Sequence, residues 1–264
     1  MVVAGIDVGA KYAKMVILKD GQPEILSQGM AECGFDLKEA AEEALNQALA
    51  DASLTRDDIT YVVATGAGVE AVPFANDTVS MQGADARGAH FLLPSVRTVI
   101  DIGAEMGRAA KCDETGRMVD FVLNERCAAG AGAFIEAMAR ALEVELEQFG
   151  PLSLEADKSP PMNAQCTIFA ESEVVTLIHE GESKKNIIRA LHDAIAERNI
   201  SMVRRLGVEK DVALIGGLAK NVGFVDAMKR GLEMDILVPE EPLLVGALGA
   251  ALIASERQEI MPST

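Results

Sequence analysis

The sequence predicts an α/β protein made of two similar lobes, and three observations carry that expectation. Short runs rich in Val and Ile alternate with longer stretches of helical spacing, the pattern of layered α/β architectures. The run Ile6-Asp7-Val8-Gly9-Ala10 returns as Ile100-Asp101-Ile102-Gly103-Ala104, an offset of 94 between positions 6 and 100. The match extends beyond the pentapeptide: Lys14 falls opposite Arg108, and the Asp20-Gly21 turn is echoed at Glu114 to Gly116, so a lobe-scale repeat is expected. With 264 residues, 49% of them apolar, the chain can bury one large core or two modest ones. The expected division is an N-terminal lobe over 1–95, a C-terminal lobe over 96–245, and a terminal interlobe helix and tail over 246–264.

Taken in order, residues 2–20 read as two strands joined at Gly9, a hairpin with a glycine-rich tip. Leu37 to Ala52 has an apolar stripe at helical spacing, with Asp36 as N-cap and Glu39 placed to complete a capping box. Thr60 to Thr65 is a strand ending in Gly66 and Gly68; a short strand at Val79 and a helix through Leu93 follow, with His90 in a structural role. The second copy of the hairpin comes next, then a helix from Phe134 to Val144. Pro151 and the Pro160-Pro161 pair are expected to break the chain. Helical spacing resumes over 171–180 and 185–205. A buried strand, Val212 to Ile215, runs into Gly216-Gly217, followed by a helix over 223–232, a short strand over 236–238, and a small-residue helix from Gly246 to Ser255.

The formal charge of -17 opposes binding to phosphate backbones and to anionic lipid, so neither nucleic acid nor a membrane is an expected partner. The first residues break at Asp7 and lack a basic region, and no apolar run is long enough to span a bilayer; a cytoplasmic location is expected. Four cysteines, Cys33, Cys112, Cys127 and Cys166, have no CxxC spacing, and disulfides are a poor explanation in a reducing compartment. Cys33 and Cys112 read as small packed hydrophobes.

Two constellations carry chemistry. The first is a pair of acidic strand ends followed by glycine-containing hairpins, with a third motif, ALIGGLAKN, downstream. Glycines let a backbone approach phosphates and offer its amides, while Asp7 and Asp101 suit a hydrated Mg²⁺, which prefers a few carboxylates and several waters. No GxxxxGK[ST] occurs, which excludes a P-loop. The second is Cys127 in NERCAAGAGAF and Cys166 in NAQCTIFAESE, each directly before a helical stretch. A thiolate at a helix N-terminus is favoured by the dipole and by free amides, and two such thiolates make half of a four-thiolate site. We read them as two of the four ligands of an iron–sulfur cluster, a second subunit supplying the others.

The order DxG, DxG, GG resembles the actin, hexokinase and Hsp70 ATPase superfamily, whose two ribonuclease H-like lobes close over ATP. On that resemblance Asp7, Gly9, Ala10 and Lys11 match the first phosphate loop, with Lys14 a secondary phosphate contact. Asp101, Gly103 and Ala104 match the second loop; Gly216, Gly217 and Asn221 match the adenosine motif; Gly246 and Gly249 match the interlobe helix. With the cysteines added, GIDVGA, VATGAG, VIDIGAE, NERCAAGAGAF, CTIFAESEV, GGLAKN and VGALGAAL look like the activators of 2-hydroxyacyl-CoA dehydratases and the ATP-binding subunits of benzoyl-CoA reductase.

That family resemblance implies a [4Fe–4S] cluster shared between two subunits through Cys127 and Cys166, and ATP hydrolysis driving electrons to low potential. It also implies reduced ferredoxin as donor and acyl-CoA-binding iron–sulfur subunits as acceptor. The partner across the cluster would be an identical or paralogous ATPase subunit. The dehydratase activators have a DIGGQD second loop, whereas this chain has DIGAEMG, with Met106 where a polar residue stands in them. DIGAE and NERCAAGAGAF look more like benzoyl-CoA reductase, which makes its electron-transfer subunit the leading expectation and a homodimeric dehydratase activator the alternative. Glu105, directly after the phosphate loop, is the candidate for orienting the attacking water. A small-molecule kinase of the same superfamily would need a catalytic aspartate facing a substrate pocket, for which the sequence offers no clear candidate, and an actin-like assembly protein would leave Cys127 and Cys166 idle.

Overall fold

The computed structural model describes residues 2–19, 23–124, 132–162 and 167–260. Two five-stranded mixed sheets organise it. In the first, β1 (Val2–Val8), β2 (Tyr12–Lys19) and β3 (Glu24–Glu32) form antiparallel pairs, while β4 (Ile59–Thr65) lies parallel to β1 and β5 (Asp77–Thr78) parallel to β4. The spatial order is β3-β2-β1-β4-β5. Strand alternation sorts the side chains by face. Ala4, Ile6, Val8, Met15 and Ile17 pack on α1 (Leu37–Ala52), and Val3, Val16, Leu18 and Val63 pack on α8 (Val245–Ile260).

The first hairpin and α1 form as the sequence predicts. Asp36 caps α1, its Oδ1 accepting from the amides of Lys38 at 2.9 Å and Glu39 at 3.2 Å, which satisfies two of the helix's orphan donors. Strand β3 is not predicted by the sequence. Its inward positions are Ser27, Gly29 and Ala31, so the strand carries no apolar alternation for a sequence reading to detect. Those small residues are required by α1: a Cβ on Gly29 would overlap the Ala44 carbonyl, and Ser27 Oγ donates to the Ala48 carbonyl at 2.7 Å.

Helix α2 (Met81–Leu92) packs on α8 at backbone contact. A Cβ on Gly249 would overlap the Ala84 carbonyl, and one on Gly88 would overlap the Val245 carbonyl. The small-residue composition of α8 therefore sets how closely this helix crosses β1 and α2, since a Cβ on Gly5 would likewise overlap Ala251 N.

The second sheet has the order β10-β9-β6-β7-β8, with β6 Thr98–Ile102, β7 Gly107–Cys112, β8 Met118–Asn124, β9 Val212–Ile215 and β10 Ile236–Leu237. The turn from β7 to β8 is held by Asp113 Oδ1, which accepts from Thr115 N, Thr115 Oγ1 and Arg117 N at 2.7–3.0 Å and so keeps its carboxyl below the usual range. Around Ile100 and Ile102 pack α3 (Gly132–Ala141), α4 (Leu146–Leu154), α6 (Lys184–Leu206) and α7 (Val222–Leu232). Helix α5 (Thr167–His179) precedes α6.

Pro151 lies inside α4 instead of breaking the chain there. Packing overrides propensity, since α4 buries Phe149 completely and sets Gly150 against Asn221 and Val222. The chain divides into two compact units: one runs to Val99 and includes Ala110–Asp120 and the residues from Pro239 onward; the other comprises Ile100–Ala109 and Phe121–Val238.

Candidate functional site

Each unit places one acid and one base at the end of a central strand. In the first, Asp7 is the penultimate residue of β1 and is 6% exposed. Lys14 sits opposite it in the β1–β2 register, and its Nζ lies 2.5 Å from Asp7 Oδ2. The hairpin tip is closed by Gly9 N donating to Tyr12 O at 3.0 Å. A Cβ on Gly9 would stand 3.4 Å from Lys14 Nζ, so the lysine serves both the acid and the loop. Ala10 is exposed on the tip, and Lys11 Nζ lies 5.5 Å from the Tyr12 ring centroid. Gly66, at φ +101°, passes so close that its Cβ would be 2.5 Å from Asp7 Oδ1.

In the second unit Asp101, 7% exposed near the end of β6, is ion-paired with Arg108 of β7. Acid and base repeat the sequence spacing of Asp7 and Lys14. Gly216, at φ +82°, approaches Asp101 so closely that a Cβ would overlap its Oδ1. The second DxG motif and the GG motif therefore meet within one unit. Residues Gly217–Lys220 form a 3₁₀ turn, and Asn221 caps α7, its Oδ1 accepting from Gly223 N and Phe224 N at 3.0 Å. Only the Nδ2 of Asn221 is left for any ligand.

The loop Gly103–Met106 is closed by Gly103 N donating to Met106 O at 2.9 Å, and Glu105 is exposed on it. Its carbonyls have a further use. Gly132 N donates to Gly103 O, and Ala133 N to Ala104 O, both at 2.9 Å. The first amides of α3, which lack partners inside the helix, are thus satisfied by this loop. A side chain at Gly132 would crowd the contact, its Cβ standing 3.3 Å from Gly103 O and 3.8 Å from Leu218 Cγ.

A carboxylate oxygen buried without a partner suits a hydrated divalent cation, whose waters donate hydrogen bonds. Asp101 Oδ1 is such an atom among the described residues. Cys127 and Cys166 lie outside the described residues, which omit 125–131 and 163–166; α3 begins at Gly132 and α5 at Thr167, both shortly after them. Among the described residues no group of His, Cys, Asp and Glu is arranged to hold a metal ion. Cys33 is half-buried, its thiol pushed up chiefly by desolvation, and Cys112 is buried with Sγ donating to Val96 O at 3.4 Å.

Sequence reasoning does not single out Asp85 and Thr65, both buried beside Asp7; the signal for Asp85 is an acidic residue among Ala84, Ala86 and Ala89 on the buried face of α2. His192 escapes it as well. It is fully buried against Phe149, ring centroids 5.5 Å apart, with both ring nitrogens unpartnered among the described residues.

The sequence pattern of the BadF/BadG/BcrA/BcrD ATPase family matches residues 4–254. The chain belongs to this family. Among its relatives, the activator of lactoyl-CoA dehydratase from Anaerotignum propionicum is 41% identical over 97% of this chain and 98% of its own. One subunit of the benzoyl-CoA reductase from Thauera aromatica is 32% identical over 98% of this chain and 94% of its own. The solved activator of 2-hydroxyisocaproyl-CoA dehydratase from Clostridium difficile, with bound ADPNP, superposes with a TM-score of 0.92 at 36% identity, over 100% of this chain and 99% of its own. This ATPase has the actin, hexokinase and Hsp70 architecture, which a ROK-family glucokinase and a ROK hexokinase, only 12 and 17% identical, share as fold alone. No helix among the described residues is long and apolar enough to cross a membrane.

Proposed function

We propose that this ATPase is the ATP-driven electron-transfer activator of a 2-hydroxyacyl-CoA dehydratase. The observation that carries the coupling is the pair of hydrogen bonds from Gly132 and Ala133 to the carbonyls of Gly103 and Ala104. A phosphate loop that shifts with nucleotide state must drag the first turn of α3 with it or break both bonds. In sequence, that turn starts five residues after Cys127.

Within this reading Asp7 and Asp101, each in its own unit, are the acids assigned to hydrated Mg²⁺, Lys14 and Arg108 balance their charge, and the amides of each glycine loop suit phosphate oxygens. Gly216-Gly217 provides a side-chain-free surface for adenosine. Glu105, exposed on its loop, orients the water that attacks the terminal phosphate. Cys127 and Cys166, with their counterparts from a second subunit, hold a [4Fe–4S] cluster, which supplies one-electron chemistry at a potential set by its surroundings. A reduced ferredoxin suits the donor side, and an iron–sulfur protein that binds the acyl-CoA suits the acceptor side.

The DIGAE loop keeps a second reading open, the ATPase subunit of a benzoyl-CoA reductase. Relatives named as dehydratase activators, at 41, 37 and 36% identity, favour the first over the reductase subunit at 32%. Anaerobic reconstitution with iron and sulfide tests the core of both: wild type gains a cluster per dimer and Cys127→Ser does not. An unchanged cluster in Cys127→Ser overturns the assignment. Adding ATP, reductant and a purified 2-hydroxyacyl-CoA dehydratase component then separates the readings, since an activator starts dehydration, whereas a reductase subunit copurifies with larger partners and reduces an aromatic ring.

A further inference from the structure

The first turn of α3 rests on two motifs at once. Its amides reach the carbonyls of Gly103 and Ala104, and its backbone meets the turn that follows Gly216: a Cβ on Gly132 would stand 3.8 Å from Leu218 Cγ. Leu218 is 5% exposed and belongs to the same buried cluster as Phe134 and Ile135 of α3. Its neighbour Gly217 is exposed. Two consecutive residues of the Gly217–Lys220 turn thus present bare backbone to the surface and a side chain to α3.

This turn has little freedom to absorb a displacement. Ala219 N donates to Gly216 O at 3.3 Å and Asn221 N to Leu218 O at 3.1 Å, and Asn221 is itself fixed as the cap of α7. At the other end Gly216 is wedged against β6, where its Cβ would stand 2.7 Å from the Ile102 carbonyl oxygen. On the α3 side Gly132 offers no flexible side chain to give way, so Leu218 bears on helix backbone. Closely packed contacts of this kind pass small shifts on instead of damping them.

We propose that Leu218 is a positioning residue that carries adenosine occupancy of the Gly216-Gly217 surface to α3, so that the helix after Cys127 answers to the nucleoside as well as to the phosphates. The inference rests on the nucleotide-site and coupling readings above and adds the GG motif to the route. A purely structural Leu218, which only fills the core beneath α3, makes a different prediction.

The test needs no cluster. Amide hydrogen exchange of α3 is followed in wild type and in Leu218→Ala, each with and without saturating Mg²⁺ and ADPNP. In wild type the nucleotide should slow this exchange about fivefold or more, the lower end of typical coupling between sites. In Leu218→Ala the slowing should fall to about twofold or less, because the shorter side chain no longer reaches the helix, while ADPNP affinity stays within a few-fold of wild type. A structural role alone would speed exchange equally with and without nucleotide and leave the slowing intact, which overturns the proposal. Loss of ADPNP binding in the variant also overturns it, since Leu218 would then serve the binding surface alone. Should Leu218→Ala not fold, Leu218→Val, which removes less of the side chain, is read by the same outcomes. If wild type binds ADPNP without any slowing, the coupling reading fails and takes this inference with it; if wild type binds no ADPNP, it is the nucleotide-site reading that fails.

Discussion

His192 sets a pH limit on this protein that no catalytic role requires. Burial pushes its pKa down to about 3 from 6.5, with Asp193 the largest opposing influence. The unfolded chain therefore takes up a proton first as the solution is acidified. The stability held by neutral His192 is complete above about pH 6.5 and is lost as pH falls toward about 3, at roughly 1.4 kcal/mol per pH unit. Between pH 7 and pH 5 the loss from this one residue is roughly 2 kcal/mol. His192→Leu should flatten that limb, read as a smaller shift of the urea midpoint between the two pH values. Asp101 is tested through the proposed function instead. On the proposed function, Asp101→Asn should lower Mg²⁺-dependent ATP hydrolysis by about two orders of magnitude or more, since a carboxylate assigned to the cation loses its charge, and it should also cost stability because Arg108 loses the charge it pairs with. Both strand-end acids were legible because their glycines repeat at a fixed offset. Asp85 and Thr65 were not, since only the folded chain brings α2 and β4 to the end of β1.

At the scale of elements, the crossing of α2 and α8 tolerates no side chain at Gly88 or Gly249 without a shift of backbone. Gly249→Ala should cost about 1–3 kcal/mol, or more if the helices cannot part, since the new methyl meets the Ala84 backbone and not a movable side chain. Gly34→Ala is the matching control: its Cβ would have nothing within 4 Å, and it should be close to neutral in the same chemical denaturation. The contact between the Gly103–Met106 loop and α3 has its own test. Gly132→Val should leave ADP binding within a few-fold of wild type but uncouple nucleotide from the cluster, read as loss of the nucleotide-induced change in the cluster's chelation rate. Helix spacing made α1 and α6 readable to within a residue or two. Strand β3 is hidden because Ser27, Gly29 and Ala31 suit the closeness of α1 and not hydrophobicity, and α4 is hidden because Pro151 carries a helix-breaking signal that the burial of Phe149 overrides.

For the whole molecule, ligand linkage provides the most direct check. Mg²⁺ with ADPNP at a hundred times its dissociation constant should raise unfolding stability by about 2.7 kcal/mol, and chelator should abolish the gain. The two-lobe architecture was legible from the repeat alone, since the paired acids and bases, Asp7 with Lys14 and Asp101 with Arg108, recur at one spacing. Chain order within the first unit was not. Its sheet is encoded by the first third of the sequence, yet Val3, Gly5 and Val63 are covered by a helix that starts at Val245. On a ribosome adding about 5–20 residues per second, that sheet face waits roughly ten to thirty seconds for its cover. The early half of the nascent polypeptide is thus a natural client for a holding chaperone, while the later half can fold as it emerges.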